Sequence, residues 1–175
     1  MGIQASDSPS EVTLRKLEPS DRITDSVLRR MGEIASQLEA QHRRLDPFFA
    51  QVATALAKGR SHDAQTAAFQ LEGALGAHFL YEEEAVFPSI RCAFPEMGDE
   101  LDALCDEHVQ ARAKIQAAIT NILESQLERA RDSFVACAIF LTLHEGRELA
   151  LISEACESAS SCRNSGEVDL PTIST

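Results

Sequence analysis

The chain has 175 residues, of which 44% are apolar and 25% are charged, so it is long enough to bury a core and we expect one domain. Its formal net charge of −12 argues against nucleic acid or an anionic membrane as a partner, because both would repel such a surface. No apolar run approaches the roughly 20 residues that a membrane span needs, and the first 20 residues lack the pattern of a signal peptide, so we expect a cytoplasmic protein.

The cysteines favour the same compartment. Their number is odd and no two form a Cys-x-x-Cys pair, which favours reduced thiols. We expect Cys105 and Cys137 to be small core residues. A redox-sensing pair of Cys156 and Cys162, which flank a Ser-rich stretch, is the less favoured alternative.

The chain order predicts a leader, four helices and a tail. Residues 1–20 are polar and contain two prolines, which predicts an irregular leader, and residues 159–175 are rich in Ser, Gly and Pro, which predicts a disordered tail. Between them, apolar residues recur with a period close to 3.6. This pattern predicts helices over about 24–57, 62–87, 98–124 and 126–158.

Local signals set the expected helix ends. Asp21 or Thr24 is a plausible N-cap of the first helix, and Gly59 is its natural stop. Pro47 lies inside this helix and predicts a kink or a widened turn, because proline has no N–H to donate. Pro88 predicts the end of the second helix at residue 87.

The expected fold is all-α. No stretch shows the alternation of a strand, and the loops between the helices are short or moderate, which favours antiparallel neighbours. We therefore predict an up-down-up-down antiparallel four-helix bundle over residues 21–158.

One spacing occurs twice. His78 is followed four residues later by Glu82, and His144 is followed by Glu148, so each pair would share one helix face. His42 and His108 lie in the other two helices. At a rise of ~1.5 Å per residue, all four histidines fall at nearly the same height, about 27 Å from one end of the bundle.

This arrangement predicts a metal site. A lone histidine on an apolar face is commonly a core residue with one hydrogen bond, but burying four imidazoles and two carboxylates without partners would be costly. Six ligands are too many for one tetrahedral zinc ion. They suit two metals bridged by the carboxylates, and the mixed nitrogen and oxygen set suits iron better than manganese or zinc.

Other polar residues near this height have less favoured roles. His62 lies beside the first turn, at a different height, and is expected at the surface. Glu83 and Glu84 are expected to form a solvated acidic face, although either would serve as an extra ligand, and Glu145 is a further weak candidate. Tyr81 is expected at the edge of the bundle; the alternative is a hydrogen bond to a bound oxygen species.

At this point the chain resembles the hemerythrin-like, or HHE cation-binding, domain family. The resemblance covers roughly residues 25–155 and has four parts, in matching order. They are Gln41-His42-Arg43-Arg44-Leu45-Asp46, the most specific stretch His78-Phe79-Leu80-Tyr81-Glu82-Glu83-Glu84-Ala85-Val86-Phe87-Pro88, then Glu107-His108, and His144 to Glu148.

The resemblance implies a four-helix bundle with two iron ions joined by an oxo or hydroxo bridge. By position it makes the four histidines terminal ligands and the two glutamates bridging ligands: His42, His78, His108, His144, Glu82 and Glu148. It implies binding or sensing of dioxygen, nitric oxide or redox state, with no named protein partner. The alternatives are a di-metal enzyme acting on peroxide or nitric oxide, and an iron store or a metal that only holds the fold.

The chain also departs from the family pattern. Oxygen-carrying members have a second histidine on the third helix, and this chain has Leu104 there. The departure implies that one metal has fewer histidines and an open or water-filled position. Gly146, beside the site, leaves room either for a ligand or for a neighbouring side chain, and we favour the side chain.

Overall fold

The fold is known from a computed structural model, which describes the backbone of residues 19–165 and the side chains of residues 25–160. Its helices are α1 (Pro19–Ala57), α2 (Ser61–Tyr81), α3 (Phe87–Ala93), α4 (Gly98–Leu123) and α5 (Leu127–Ser165). A π-helical turn (Glu82–Val86) joins α2 to α3, and a 3-10 turn (Pro95–Met97) precedes α4. No strand occurs between residues 19 and 165, so the all-α prediction is confirmed.

Four long helices form the body of the fold. α1 packs against α2 and α5, and α4 packs against the same two helices, which closes a ring around a shared interior. Two short turns connect successive helices, and Gly59 adopts φ 67° in the first of them, a left-handed conformation that favours glycine. Within the described part of the chain, no helix combines the length and the apolar run that crossing a bilayer requires.

The interior consists of two apolar clusters. The first lies toward the two short turns and includes Leu71, Ile115 and Phe134. The second lies toward the other end and includes Ile34 and Ile152. Each long helix passes from one cluster to the other, and the predicted ligands occupy the positions in between. The fold therefore places a polar layer between two apolar cores.

The ends of the bundle differ from the prediction. α1 begins at Pro19 rather than near residue 24, because proline is well suited to the first position of a helix. Residues 19 and 20 thus belong to the helix, and the predicted leader otherwise lies outside the described residues. α5 continues to Ser165, so the prediction of a tail from residue 159 is wrong for its first seven residues. Ala159 is 4% exposed and extends the apolar face that carries the helix onward.

The second predicted helix also ends differently. It does not stop at Pro88 but widens at Glu82–Val86 and continues as α3 to Ala93. The N–H of Phe87 bonds to the carbonyl of Glu82, five residues back. Pro88 then lies in the first turn of α3, directly after the widened turn, where its fixed φ suits the helix. The widened turn is therefore in this segment, whereas α1 remains α-helical through Pro47.

Candidate metal centre

All six predicted ligand side chains are buried together in the layer between the two apolar clusters. The exposed fraction is at most 9% in each of them: His42, His78, Glu82, His108, His144 and Glu148. On α4, for example, Leu104 belongs to one cluster, Ala111 belongs to the other, and His108 lies between them. The predicted equality of height is thus met by the packing of the helices.

The six side chains form two groups that share one carboxylate. The first group contains His42, His78, Glu82 and Glu148, and the second contains Glu82, His108 and His144; within each group the ligand atoms lie within 4.8 Å of one another. Glu82 Oε1 is 2.8 Å from His78 Nε2, and its Oε2 is 3.0 Å from His108 Nε2. Glu82 therefore spans both groups, as a bridging ligand would.

The remaining contacts complete each group. In the first, Glu148 Oε2 lies 3.3 Å from His42 Nε2. In the second, the Nε2 atoms of His108 and His144 are 3.1 Å apart. Two imidazole nitrogens this close, each with a lone pair or a proton to place, are readily accommodated when a cation lies against both.

The hydrogen bonding tests whether these residues fit a metal. Among the side chains that the structure describes, five buried atoms have no hydrogen-bond partner: His42 Nε2 and both carboxylate oxygens of Glu82 and Glu148. Their short contacts lack the direction of hydrogen bonds. Leaving such an atom unsatisfied costs about 1–3 kcal/mol. The donor set and its unsatisfied atoms fit cations held between them.

A second set of residues orients three of the imidazoles. The Nδ1 atom of His78 donates to Gln41 Oε1 at 3.0 Å, that of His108 to Glu83 Oε1 at 2.7 Å, and that of His144 to Glu107 Oε2 at 2.8 Å. Because the acceptors have no proton to give, Nδ1 carries the hydrogen and the lone pair of Nε2 is left for the interior. This is the usual arrangement around metal-bound histidines.

The hydrogen-bond partners of the imidazoles differ in charge between the two ligand groups. The second group has two carboxylate partners, and each is paired with an arginine: Glu83 with Arg112 at 3.5 Å and Glu107 with Arg147 at 2.7 Å. In the first group, the partner of His78 is a neutral amide. The His108 ring is further held by stacking on Phe79, with the ring centroids 4.2 Å apart.

These partners were not predicted from the sequence. The prediction of a solvated face is wrong for Glu83 and holds for Glu84, which is exposed. Gln41 and Glu107 each precede a predicted ligand, which is the only signal that singled them out. A residue next to a ligand points about 100° away around the helix, so it can reach the imidazole of a neighbouring helix.

The layer perturbs the acids and bases within it. Burial raises the pKa of Glu82 to about 8, an effect that His108 opposes and Glu148 strengthens. Burial and the nearby His42 lower the pKa of His78 to about 4. For His42, burial lowers the pKa, but the carboxylates of Glu148, Glu145 and Glu82 outweigh it, so its pKa is raised. Protons and cations thus compete for the same atoms.

The structure also shows the positions of the other residues that the sequence singled out. The Tyr81 hydroxyl donates to Gln37 Oε1 at 2.5 Å, which keeps it at the edge of the bundle. His62 is exposed, as predicted. A Cβ added to Gly146 would meet no atom within 4 Å, so the expected packing of a neighbouring side chain is wrong. Cys137 is buried as predicted, whereas Cys105 is half-buried.

Comparison with known proteins agrees with this geometry. A family model described as the hemerythrin HHE cation binding domain matches residues 33–151, well over half of the chain and every residue of the two groups. No curated protein and no solved structure matches. Members of this family bind metal cations through the domain, and the His and Glu groups supply suitable ligands. The chain therefore belongs to the hemerythrin HHE cation-binding family.

Proposed function

We propose that the chain is a non-heme di-iron protein that binds or senses a small molecule such as dioxygen, nitric oxide or peroxide. The observation that carries the proposal is the shared carboxylate: both oxygens of Glu82 are buried, unsatisfied, and directed to different histidine pairs. One ion would be held by His42, His78, Glu148 and Glu82, and the other by His108, His144 and Glu82. The antiparallel up-down-up-down course of the helices, which the short turns favour, belongs to the same proposal.

The ligand set supports iron over the common alternatives. Structural zinc sites are closed tetrahedra rich in thiolate or imidazole, and no cysteine belongs to either group. Imidazole combined with carboxylate is a typical set for non-heme iron, with manganese and zinc as weaker candidates. Bound iron would supply a change of oxidation state and an affinity for small oxygen or nitrogen ligands.

The two groups offer unequal numbers of protein ligands, which supports small-molecule binding at the second. The first group has two histidines and two glutamates, and the second has two histidines and Glu82. Leu104, one turn before His108, is buried and offers no ligand atom. A cleft of about 210 Å³ between α2 and α4 is lined by Phe79, the ring that stacks on His108, but by none of the ligand residues.

A signal would leave the centre through Glu82. This residue begins the π-helical turn between α2 and α3, and π turns are less regular than α-helix and occur often at functional sites. A change of charge at the centre alters the force on the Glu82 carboxylate first. The turn then provides a way for α3 to move relative to α2.

The test is metal loading with a matched pair of variants. We expect the purified protein, reconstituted with ferrous iron without oxygen, to hold about two iron ions per chain and to gain a charge-transfer absorption band in air. His108→Ala should lose iron and the band, whereas Glu84→Gln, at an exposed position in the same turn, should keep both. Less than one iron per chain, with no band, would refute the proposal. Repeated turnover of peroxide or nitric oxide with added reductant would instead favour an enzyme.

A further inference from the structure

The outward face of α5 carries a stripe of large apolar side chains. Val135, Ile139 and Leu143 are 55%, 58% and 62% exposed. Their spacing of four residues places them one above another on the helix. A contiguous exposed apolar patch on a single face commonly marks an interaction surface, whereas scattered apolar residues do not.

The stripe is also free of charge. Residues 133–143 contain no acidic or basic side chain, in a chain whose net charge is −12. Around the stripe, small side chains at Ala136, Gly146 and Ala150 are exposed as well. Positions 136, 139, 143, 146 and 150 alternate steps of three and four. That alternation is the seam of one helix packed lengthwise on another.

Gly146 would suit such a contact. A glycine in the middle of a helix costs roughly 0.5–1 kcal/mol relative to alanine. Nothing within the chain needs the space, because an added Cβ would meet no atom within 4 Å. A glycine on an open helix face allows the backbone of a second helix to approach closely, as small residues do at helix crossings.

We infer that this face of α5 binds α5 of a second copy of the chain, with the two helices antiparallel. The seam is self-complementary in that register. Ile139 would face the partner's Leu143, Ala136 would face the partner's Gly146, and both pairs are centred on residue 141. Each contact then occurs twice, because Leu143 also faces the partner's Ile139 and Gly146 also faces the partner's Ala136, as a two-fold interface requires.

One pair of flanking charges suits the same arrangement, although the exposed Glu128 lies beside it. Arg129 and Glu154 are exposed on one flank of the seam and are centred close to residue 141. In an antiparallel pair, each Arg129 lies beside the partner's Glu154, which gives two symmetric ion pairs. The uncharged band also lets two acidic copies approach without repulsion across the seam.

The test measures the mass of the full chain in solution over a range of concentrations. We expect a dimer of twice 19.1 kDa. Ile139→Glu or Leu143→Glu should weaken the dimer at least a hundredfold. Leu80→Glu is the control, because Leu80 is 50% exposed on a different helix, α2. Circular dichroism and iron content should be unchanged in all three, which separates loss of the interface from loss of the fold or of the metal centre.

Charge exchange tests the register. Arg129→Glu alone and Glu154→Arg alone should each weaken the dimer several-fold, and the double variant should recover it. A monomer at every concentration would overturn the inference, and so would a dimer that survives Ile139→Glu. Failure of the double variant to recover would overturn the antiparallel register.

Discussion

Replacing Glu82 by glutamine should stabilise the metal-free protein while removing its metal. The Glu82 carboxylate is fully buried, and burial raises its pKa to about 8 from an ordinary 4.5. Near neutral pH, the metal-free protein must therefore either protonate this group or keep a charge buried. Glutamine has a similar shape and no charge, so it removes that cost. It also removes one of the two oxygens through which the two ligand groups are joined.

The magnitude follows from the pKa values and their signs. The pKa of the Glu82 carboxyl is raised in the folded state, so the folded protein loses stability as the pH rises from 4.5 to about 8. His78 acts in the opposite direction, but only between pH 6.5 and about 4, because its pKa is lowered in the folded state. Above pH 6.5 the effect of Glu82 is clear, and the raised pKa of His42 has the same sign. At about 1.4 kcal/mol per pH unit, Glu82 should lower the free energy of unfolding by about 2 kcal/mol between pH 6.5 and 8.

The assay is urea unfolding in the presence of a chelator, followed by circular dichroism between pH 6.5 and 8. The free energy of unfolding of the wild-type chain should fall across this range, and that of Glu82→Gln should be much flatter and higher at pH 8. Glu84→Gln, in the same turn but exposed, should keep the wild-type slope. A wild-type stability that rises with pH, or an unchanged slope in Glu82→Gln, would refute the reasoning. With metal bound, the wild-type slope should largely disappear, because the cation replaces the proton.

Three further substitutions give distinct results. Glu107→Gln keeps a hydrogen-bond acceptor for His144 but removes its charge, so the affinity for metal should fall about 10–100-fold in a chelator competition, while Asp106→Asn, exposed on the same helix, leaves it unchanged. Gly146→Ala should raise the free energy of unfolding of the monomer by about 0.5–1 kcal/mol and weaken self-association, measured by urea unfolding and by mass in solution; no change in either would contradict the account of that glycine. Pro47→Ala should raise the melting temperature, because it restores a helical N–H at a cost that reaches about 3 kcal/mol for an interior proline; a lower melting temperature would show that the proline fits its place.

The sequence was sufficient for the layer because two regularities coincide there. The period of 3.6 fixes which face of each helix is buried, and the length of each segment fixes the height of a residue. The prediction of His42 and His108 as ligands required both the period and the height, since neither has a predicted partner ligand one turn away in its own helix. The prediction of His78 and Glu82 required only their spacing of four residues. These are properties of single helices and of the short turns that join them, so no knowledge of side-chain contacts between helices was required.

The partners of the imidazoles could not be predicted in this way. Whether Glu83 points to solvent or to His108 depends on the rotation and distance of α4 relative to α2, which the pattern of one helix does not contain. The π-helical turn adds to the difficulty, because the widening at Glu82–Val86 changes the direction of the residues within it. An acidic run of three glutamates therefore looked uniform, although one of them is buried, one is half-buried and one is exposed.

The polar layer and the apolar clusters on either side of it depend on each other. Four imidazoles and two carboxylates without cations weaken the middle of the bundle, as the unsatisfied oxygens of Glu82 and Glu148 indicate. The clusters above and below keep the helices together, since burial of a large apolar side chain contributes about 1.5–3 kcal/mol, and many such residues flank the layer. A centre placed at one end of the bundle would have only one cluster to hold it. Because the centre lies between two clusters, packing on both sides helps to position the ligand residues, and removing the metal should lower stability without unfolding the helices.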